Sequence, residues 1–402
     1  MTFGDNPLRR LAEAHAAERA ELGTEFTPCE IWHQTEYWAD SAARAADVLA
    51  GSGAAIGGLL DDPAARLVLT GAGSSYFIAC CLAQAVGAAA GRPAIAVEST
   101  EIVTHPEILA GPGPVLLVSL ARSGDSPESL GVYSLAKRLL PRLLQIVVTC
   151  NEEGALARAA AADGHPRVVL DPATNDRGLA MTASFTNLFL AGLALAHRDR
   201  LAEYRETAAG LAAVGRQLLE TAPGLLAGLV ERGFGRVIYL GGGPLRGAAQ
   251  EGALKMLEMT DGAIPTLAHS YLGIRHGPLS FADERTLIVA MRSGDPFVRK
   301  YEDDLLAQLG ARGLGSMLVA LEPGPAQSGR NLGRLLSLYE GGTPLPDAWL
   351  PALAVPVVQV LALFASLSLG CRPDRPSSKG LISRVVEGVV IHDRESGRED
   401  RS

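Results

Sequence analysis

The sequence contains no CxxC pair, no HExxH or HxxxH motif and no cluster of Cys and His, so neither a zinc site nor a thiol redox centre is expected. Its five cysteines, at positions 29, 80, 81, 150 and 371, make no even framework; reduced thiols in a reducing compartment are expected rather than disulfides. Excess positive charge is missing too. A formal net charge of −8 argues against a nucleic-acid partner, which requires a basic face. It leaves room for a phosphorylated metabolite, because a few N–H groups and hydroxyls can hold one phosphate inside an acidic protein. No P-loop GK[ST] is present, and no third glycine completes a dinucleotide fingerprint. The first 22 residues are charged and lack an apolar core, so no secretory signal is expected.

One apolar run, 349–370, is long enough to cross a bilayer. Pro351, Pro356 and Gln359 interrupt it and no basic flank orients it, so a buried core helix after an extended approach is expected. The remainder is a globular balance of 48% hydrophobic and 20% charged residues, with aromatics at 5% and Ala, Leu, Val and Gly abundant. At 402 residues there is material for two or three domains, and this mix suits helices packed on parallel strands.

Short apolar runs end in small residues at 66–75, 114–129 and 145–151, each followed by Ala/Leu-rich helical sequence. This is the βα alternation of a doubly wound parallel sheet. The plan then recurs at 235–245 and 286–296. Gly71 and Gly73 map to Gly241 and Gly243 (241 − 71 = 170), and Arg122-Ser123-Gly124-Asp125 maps to Arg292-Ser293-Gly294-Asp295 (292 − 122 = 170). Two strand-end motifs sharing one offset point to two homologous α/β halves. The expected organisation is a helical segment over 1–50, halves over 51–215 and 216–393, and a charged, frayed tail over 394–402.

The turn from Gly71 to Ser75 hands a strand over to a helix, where exposed N–H groups and hydroxyls can face an anion. Alone it is equally well explained as a turn with capping serines. A second hydroxyl-rich turn, 121–129, adds Arg122 at the same sheet edge, where open α/β sheets bind ligands. In the second half Ser75 is replaced by Leu245 and Ser126 by Pro296, so phosphate is expected in the first half only. Chemistry is expected from the second half. Glu251, Lys255 and Glu258 are spaced i, i+4, i+7 and share one helix face. A solvated stripe with one ion pair is the bland alternative. His276, before Gly277-Pro278, sits on a sharp turn from which its ring can project into a cleft.

Together ARSGDSPES (121–129), TNDRGLAMTASFTN (174–187), QEGALKMLE (250–258), GIRHGP (273–278) and PDRP (373–376) resemble the sugar-isomerase (SIS) family. Within it they are most similar to AgaS-type galactosamine-6-phosphate deaminase/isomerases, long described as tagatose-6-phosphate ketose/aldose isomerases. The resemblance runs from about Thr27 to Asp393. It implies two tandem SIS domains, each a five-stranded parallel sheet flanked by helices, behind a helical N-terminal lead-in. The isomerase domain of glucosamine-6-phosphate synthase looks like a more distant relative.

By that resemblance Ser75, Arg122, Ser123 and Ser126 hold the phosphate, and Ser74, Thr182 and Ser184 line the sugar site. Glu258 is the base at C1/C2 with Lys255 and Glu251 beside it, and His276, from the partner subunit of a dimer, helps to open the sugar ring. No metal or organic cofactor is demanded, and the expected setting is the cytoplasm. The expected partners are a small sugar phosphate and a further copy of the chain, with neither nucleic acid nor membrane. Two departures stand out: Ala121 replaces a hydroxyl residue of the synthase-like relatives, and either Lys379 or Arg384 lies where relatives place a functional lysine. No glutamine amidotransferase domain precedes the pair and Met1 is not followed by Cys, so glutamine-dependent synthesis is not expected.

The implied reaction converts galactosamine 6-phosphate to tagatose 6-phosphate and ammonia. An aldose/ketose 6-phosphate isomerase and a glucosamine-6-phosphate deaminase are the enzyme alternatives. A non-catalytic sugar-phosphate regulator is the alternative of another class; Glu258, Lys255 and His276, and the lack of an evident helix-turn-helix, favour catalysis.

Overall fold

Apolar runs buried on both faces become the parallel strands of two sheets in a computed structural model that describes residues 6–314, 317–325, 333–341, 345–386 and 388–392. The tail expected over 394–402 lies outside the described residues. The first sheet comprises β1 (Arg66–Gly71), β2 (Ala94–Glu98), β3 (Val115–Ala121), β4 (Leu143–Thr149) and β5 (Arg167–Val169), in the order β2-β1-β3-β4-β5. Alternate side chains feed opposite faces: Leu67 and Leu69 join the main core, while Val68 packs in a separate cluster with Val115 and Leu117.

The second sheet repeats the plan. It contains β6 (Arg236–Leu240), β7 (Thr266–His269), β8 (Thr286–Met291), β9 (Leu318–Glu322) and β10 (Arg334–Ser337), in the order β7-β6-β8-β9-β10. The pairing repeats: β1 pairs with β3 in parallel as β6 pairs with β8. The glycines that open the following helices share a conformation, φ 54° at Gly73 and 53° at Gly243. Strand order reverses between β1 and β3, which makes the crevice above their ends the switch point where such sheets bind ligands.

Two expected domain limits fall inside helices. Residues 50 and 51 lie within Trp38–Leu60, and residues 215 and 216 within Leu201–Thr221. The lead-in consists of Pro7–Glu13, Ala16–Leu22, Thr27–His33 and the start of Trp38–Leu60. It is sewn to the rest by buried polar groups. Gln34 donates to Gln359 at 2.9 Å and accepts from Thr186 at 2.8 Å, and the Trp38 indole N–H donates to Thr186 at 3.0 Å.

The apolar run near the C-terminus is the helix Leu350–Ser368. By length and composition it could cross a membrane, but 94% of it is buried inside the protein. The extended approach is not observed, because a turn over Pro346–Trp349 leads straight in and Pro351 occupies the first helical turn, where no N–H partner is needed. The helix also continues through Pro356, which deprives the Ala352 carbonyl of its usual donor. Burial on all sides offsets that loss, since a fully buried Leu or Val contributes about 1.5–3 kcal/mol.

The halves meet where the helix Ser74–Ala89, which follows β1, crosses Leu245–Met259, which follows β6. Gly247 touches the first helix at Phe77, its own counterpart in the repeat (247 − 77 = 170). A Cβ there would lie 2.4 Å from the Phe77 carbonyl oxygen and 2.6 Å from Cys81 Sγ, so only glycine allows the backbones this close. Gly247→Val is therefore expected to destabilise the fold by about 1–3 kcal/mol, read as a lower denaturant midpoint with unchanged slope. An unchanged midpoint would show that the two helices can part without cost.

Candidate active site

Helical spacing places Glu251, Lys255 and Glu258 on one face of Leu245–Met259, and the crossing aims that face at Ser74. Lys255 Nζ donates to Glu258 Oε2 at 2.5 Å and to Ser74 Oγ at 3.1 Å, and lies 3.4 Å from Glu251 Oε1. Ser74 Oγ in turn donates to Glu251 Oε1 at 3.1 Å. The side chains of Glu251 and Lys255 are 0% exposed while that of Glu258 keeps 21%, so the solvated-stripe alternative fails and Glu258 is the member that keeps contact with solvent. Ser74, expected to line the sugar, instead bridges the acid and the ammonium.

Burial pushes the Glu251 carboxyl up to about 7, against the pull of Lys255. Burial alone would lower the Lys255 ammonium, but Glu251 and Glu258 outweigh it and its pKa is raised. Glu251 Oε2 is buried without a partner. Breaking such a buried pair from one side typically costs about 3–5 kcal/mol, because the remaining charge is left uncompensated.

The hydroxyl-rich turns stand beside this cluster. Ser75, next to Ser74 in the chain, is buried, and its hydroxyl makes only a weak bond to Met181 Sδ at 3.9 Å. Ser123 Oγ accepts from the Asp125 N–H at 3.3 Å and, among the described residues, donates to nothing. Ser126 caps the helix Pro127–Leu139, accepting from the Ser129 N–H at 3.4 Å. Two helix N-termini, at Ser74 and at Pro127, thus converge on the switch point, where an anion is favoured.

Other expected site residues have different tasks. The buried Arg122 guanidinium is turned onto carbonyls: it donates to Leu179 O at 3.0 Å, to Gly178 O at 3.5 Å and to Arg384 O. It holds a loop instead of reaching into the cleft, because a buried guanidinium must satisfy its fixed fork of donors. Burial lowers its pKa, and Asp176 opposes this. Thr182 and Ser184 are fully buried. Their N–H and hydroxyl groups, with the Ala183 N–H, converge on the buried Asp176 carboxylate, which thereby caps the helix Ala183–Leu193; the Thr182 hydroxyl bond is 2.7 Å.

His276 is exposed, and among the described residues no hydrogen bond joins its ring to the cluster. Lys379 is exposed as well. Arg384 is the C-terminal residue that reaches the site region, donating to Asp176 O at 2.6 Å and to Asn175 Oδ1 at 2.7 Å. Sequence reasoning passed over Asp176, Glu30 and Asp374. The only signal was their place inside or beside the family-like segments TNDRG and PDRP and the lead-in TPCE.

The equivalent turn of the second half is filled from within. Asp347 accepts from Ser293 Oγ at 2.5 Å and from the Gly294 N–H at 2.6 Å, where the first half presents Ser123 and Gly124. Arg292 is wholly buried against Glu302 and Asp303. An internal carboxylate closes that turn to a second anion.

A family model for the SIS domain matches residues 62–198. The chain is 33% identical to an Escherichia coli protein named D-galactosamine-6-phosphate deaminase AgaS, over 95% of this chain and 99% of that one. It is 41% identical to an AgaS protein of Streptomyces coelicolor, over 81% of this chain and 85% of that one. The solved tagatose-6-phosphate ketose/aldose isomerase from Escherichia coli superimposes with a TM-score of 0.84 at 32% identity, covering 92% of this chain and 97% of that one. With its paired five-stranded sheets and these relatives along most of its length, the chain belongs to the SIS family, in its AgaS-type branch.

Proposed function

We propose that this protein converts galactosamine 6-phosphate and water to tagatose 6-phosphate and ammonia. The observation that carries the reading is the buried Glu251–Lys255–Glu258 cluster joined through Ser74 to the hydroxyl-rich turn. In this reading the cluster moves the proton at one end of the substrate and the hydroxyl-rich turns hold the anion at the other.

The phosphate anchors at the Ser75, Ser123 and Ser126 hydroxyls and the helix N-termini, so that its binding energy positions C1 and C2 without reacting. Glu258 removes the C2 proton of the open-chain sugar, leaving an enolamine, and returns it to C1. The product is a C2 ketimine; water adds at C2 and the C–N bond breaks, releasing ammonia and the ketose phosphate. Lys255 orients Glu258 through its 2.5 Å bond, and Glu251, poised about 7, serves as the local proton reservoir. His276 reaches this centre from a second copy in a homodimer or higher homo-oligomer with shared sites, where its imidazole assists ring opening. Five free cysteines suit the reducing cytoplasm.

The name of the solved Escherichia coli isomerase favours a second reading, aldose–ketose isomerisation with oxygen at C2. Purified protein supplied with galactosamine 6-phosphate is expected to yield ammonia and tagatose 6-phosphate in equal amounts, faster than with glucosamine 6-phosphate. Turnover of tagatose 6-phosphate to its aldose without ammonia release from either amino sugar would select the isomerase.

Glu258→Gln is expected to lower kcat by about 10²–10⁴-fold with KM little changed, and a near-normal kcat would remove Glu258 as the base. Ser123→Ala should chiefly raise KM. For Glu251 the folded pKa of about 7 lies above the usual 4.5, so its stabilisation is complete below 4.5 and is lost as pH rises through 7. Glu251→Gln should therefore flatten the fall in urea stability between pH 4.5 and 7, by on the order of 3 kcal/mol. A wild-type slope in the variant would mean that Glu251 is ionised throughout.

A further inference from the structure

Three segments that take no part in this chemistry meet at one residue, Gly178. From the lead-in, Glu30 Oε1 accepts from the N–H groups of Arg177 at 2.5 Å and Gly178 at 3.3 Å. From the C-terminal PDRP segment, Asp374 takes the Thr27 N–H at 2.8 Å, the Thr27 hydroxyl at 2.6 Å and the Phe26 N–H at 2.9 Å, while its own carbonyl accepts from the Leu179 N–H at 3.1 Å. A Cβ on Gly178 would lie 2.7 Å from Thr27 Oγ1 and 3.1 Å from Glu30 Oε2, so the junction closes only over glycine.

The loop is gripped from its other side by cations. Arg122 holds the carbonyls of Gly178 and Leu179, and Arg384 holds the Asp176 carbonyl and the Asn175 side chain. Its N–H groups thus point outward to a carboxyl and its carbonyls inward to guanidiniums beside the phosphate end. Two residues further on, Met181 meets the Ser75 hydroxyl. A shift of the 177–179 backbone moves both arginines and Met181 together.

We propose that Glu30 is a positioning residue for the phosphate end of the site: by holding the Arg177 and Gly178 N–H groups it fixes the loop that sets Arg122, Arg384 and the Met181 contact with Ser75. The assignment rests on the phosphate reading given above for Ser75, Ser123 and Ser126. Asp176 and Arg177 on the loop, Asp374 on the C-terminal segment, and Arg19, Glu25 and Cys29 on the lead-in surround the Glu30 carboxyl, several of them around a cavity of about 470 Å³ that opens to solvent. Burial, and then Asp176, push that carboxyl up to about 8. It is therefore largely neutral at pH 7, and glutamine reproduces its shape and its accepting oxygen.

The test measures kcat and KM for galactosamine 6-phosphate, and the calorimetric Kd for inorganic phosphate, in the wild type and in Glu30→Ala, Glu30→Asp, Glu30→Gln and Ser123→Ala. Glu30→Ala should raise both KM and the phosphate Kd about tenfold, the loss of two backbone hydrogen bonds, with kcat within about twofold. Glu30→Asp, which withdraws the carboxyl by one methylene, should shift both in the same direction, and Glu30→Gln should restore wild-type values. If Glu30→Ala does not fold, Glu30→Asp and Glu30→Gln decide the matter. A folded Glu30→Asp protein with wild-type KM and phosphate Kd overturns the inference, as does a loss confined to kcat. Ser123→Ala separates the two readings: if it weakens phosphate while the Glu30 variants do not, only the role of Glu30 falls; if it too leaves phosphate binding unchanged, the phosphate site itself is wrong.

Discussion

The two repeats meet through a pair of equivalent helices that touch backbone to backbone at Gly247 and Phe77. Ser74 can lie between Glu251 and Lys255 only because no side chain intervenes at that crossing. The contact joins the helix that follows the anion-binding strand of one half to the helix that carries the ionisable face of the other. From the far side Leu350–Ser368 supports the second helix: the Ser366 hydroxyl donates to the Met259 carbonyl at 2.6 Å, and Val358 lies within reach of Gly252. The ion cluster is thus built into the interface of the halves, and neither half contains a site alone.

Division of labour follows from what each copy lost. The first half has Cys81, Ala85 and Ala88 where the second has Glu251, Lys255 and Glu258 (each 170 apart), so its helix carries no carboxylate or ammonium on the equivalent face. The second half has Leu245 and Pro296 in place of Ser75 and Ser126, and Asp347 sits on the Ser293 hydroxyl and Gly294 N–H. A buried N–H and hydroxyl left without an acceptor would each cost about 1–3 kcal/mol. An internal carboxylate removes that cost permanently in the second half, whereas in the proposed mechanism the substrate phosphate would do so in the first.

Much of this was legible because it depends on local pattern. The 170-residue offset shows in strand-end turns that must keep glycine, and the shared face of Glu251, Lys255 and Glu258 follows from 3.6-residue periodicity. Roles set by distant partners were not legible. Arg122 has the right type and place for a phosphate ligand, yet its partners are carbonyls 56 and 57 residues on and one in the C-terminal segment. Thr182 and Ser184 read as free hydroxyls until the loop carrying Asp176 folds over them. The junction of Thr27 with Asp374 spans 347 residues and leaves no periodic trace. Pro356 reads as a break, but packing on every side carries the helix through it. β5 and β10, of three and four residues, are too short for a periodic signal.

The account stands on one chain supplying both an anion cradle and a proton-moving carboxylate to a single substrate. A crystal structure with an unreactive open-chain 6-phospho amino sugar bound tests this most directly. The phosphorus should lie among the Ser75, Ser123 and Ser126 hydroxyls, with C2 within about 3–3.5 Å of the Glu258 carboxylate of the same chain. A phosphate bound elsewhere, or a C2 beyond the reach of Glu258 with the phosphate in that cradle, would contradict it.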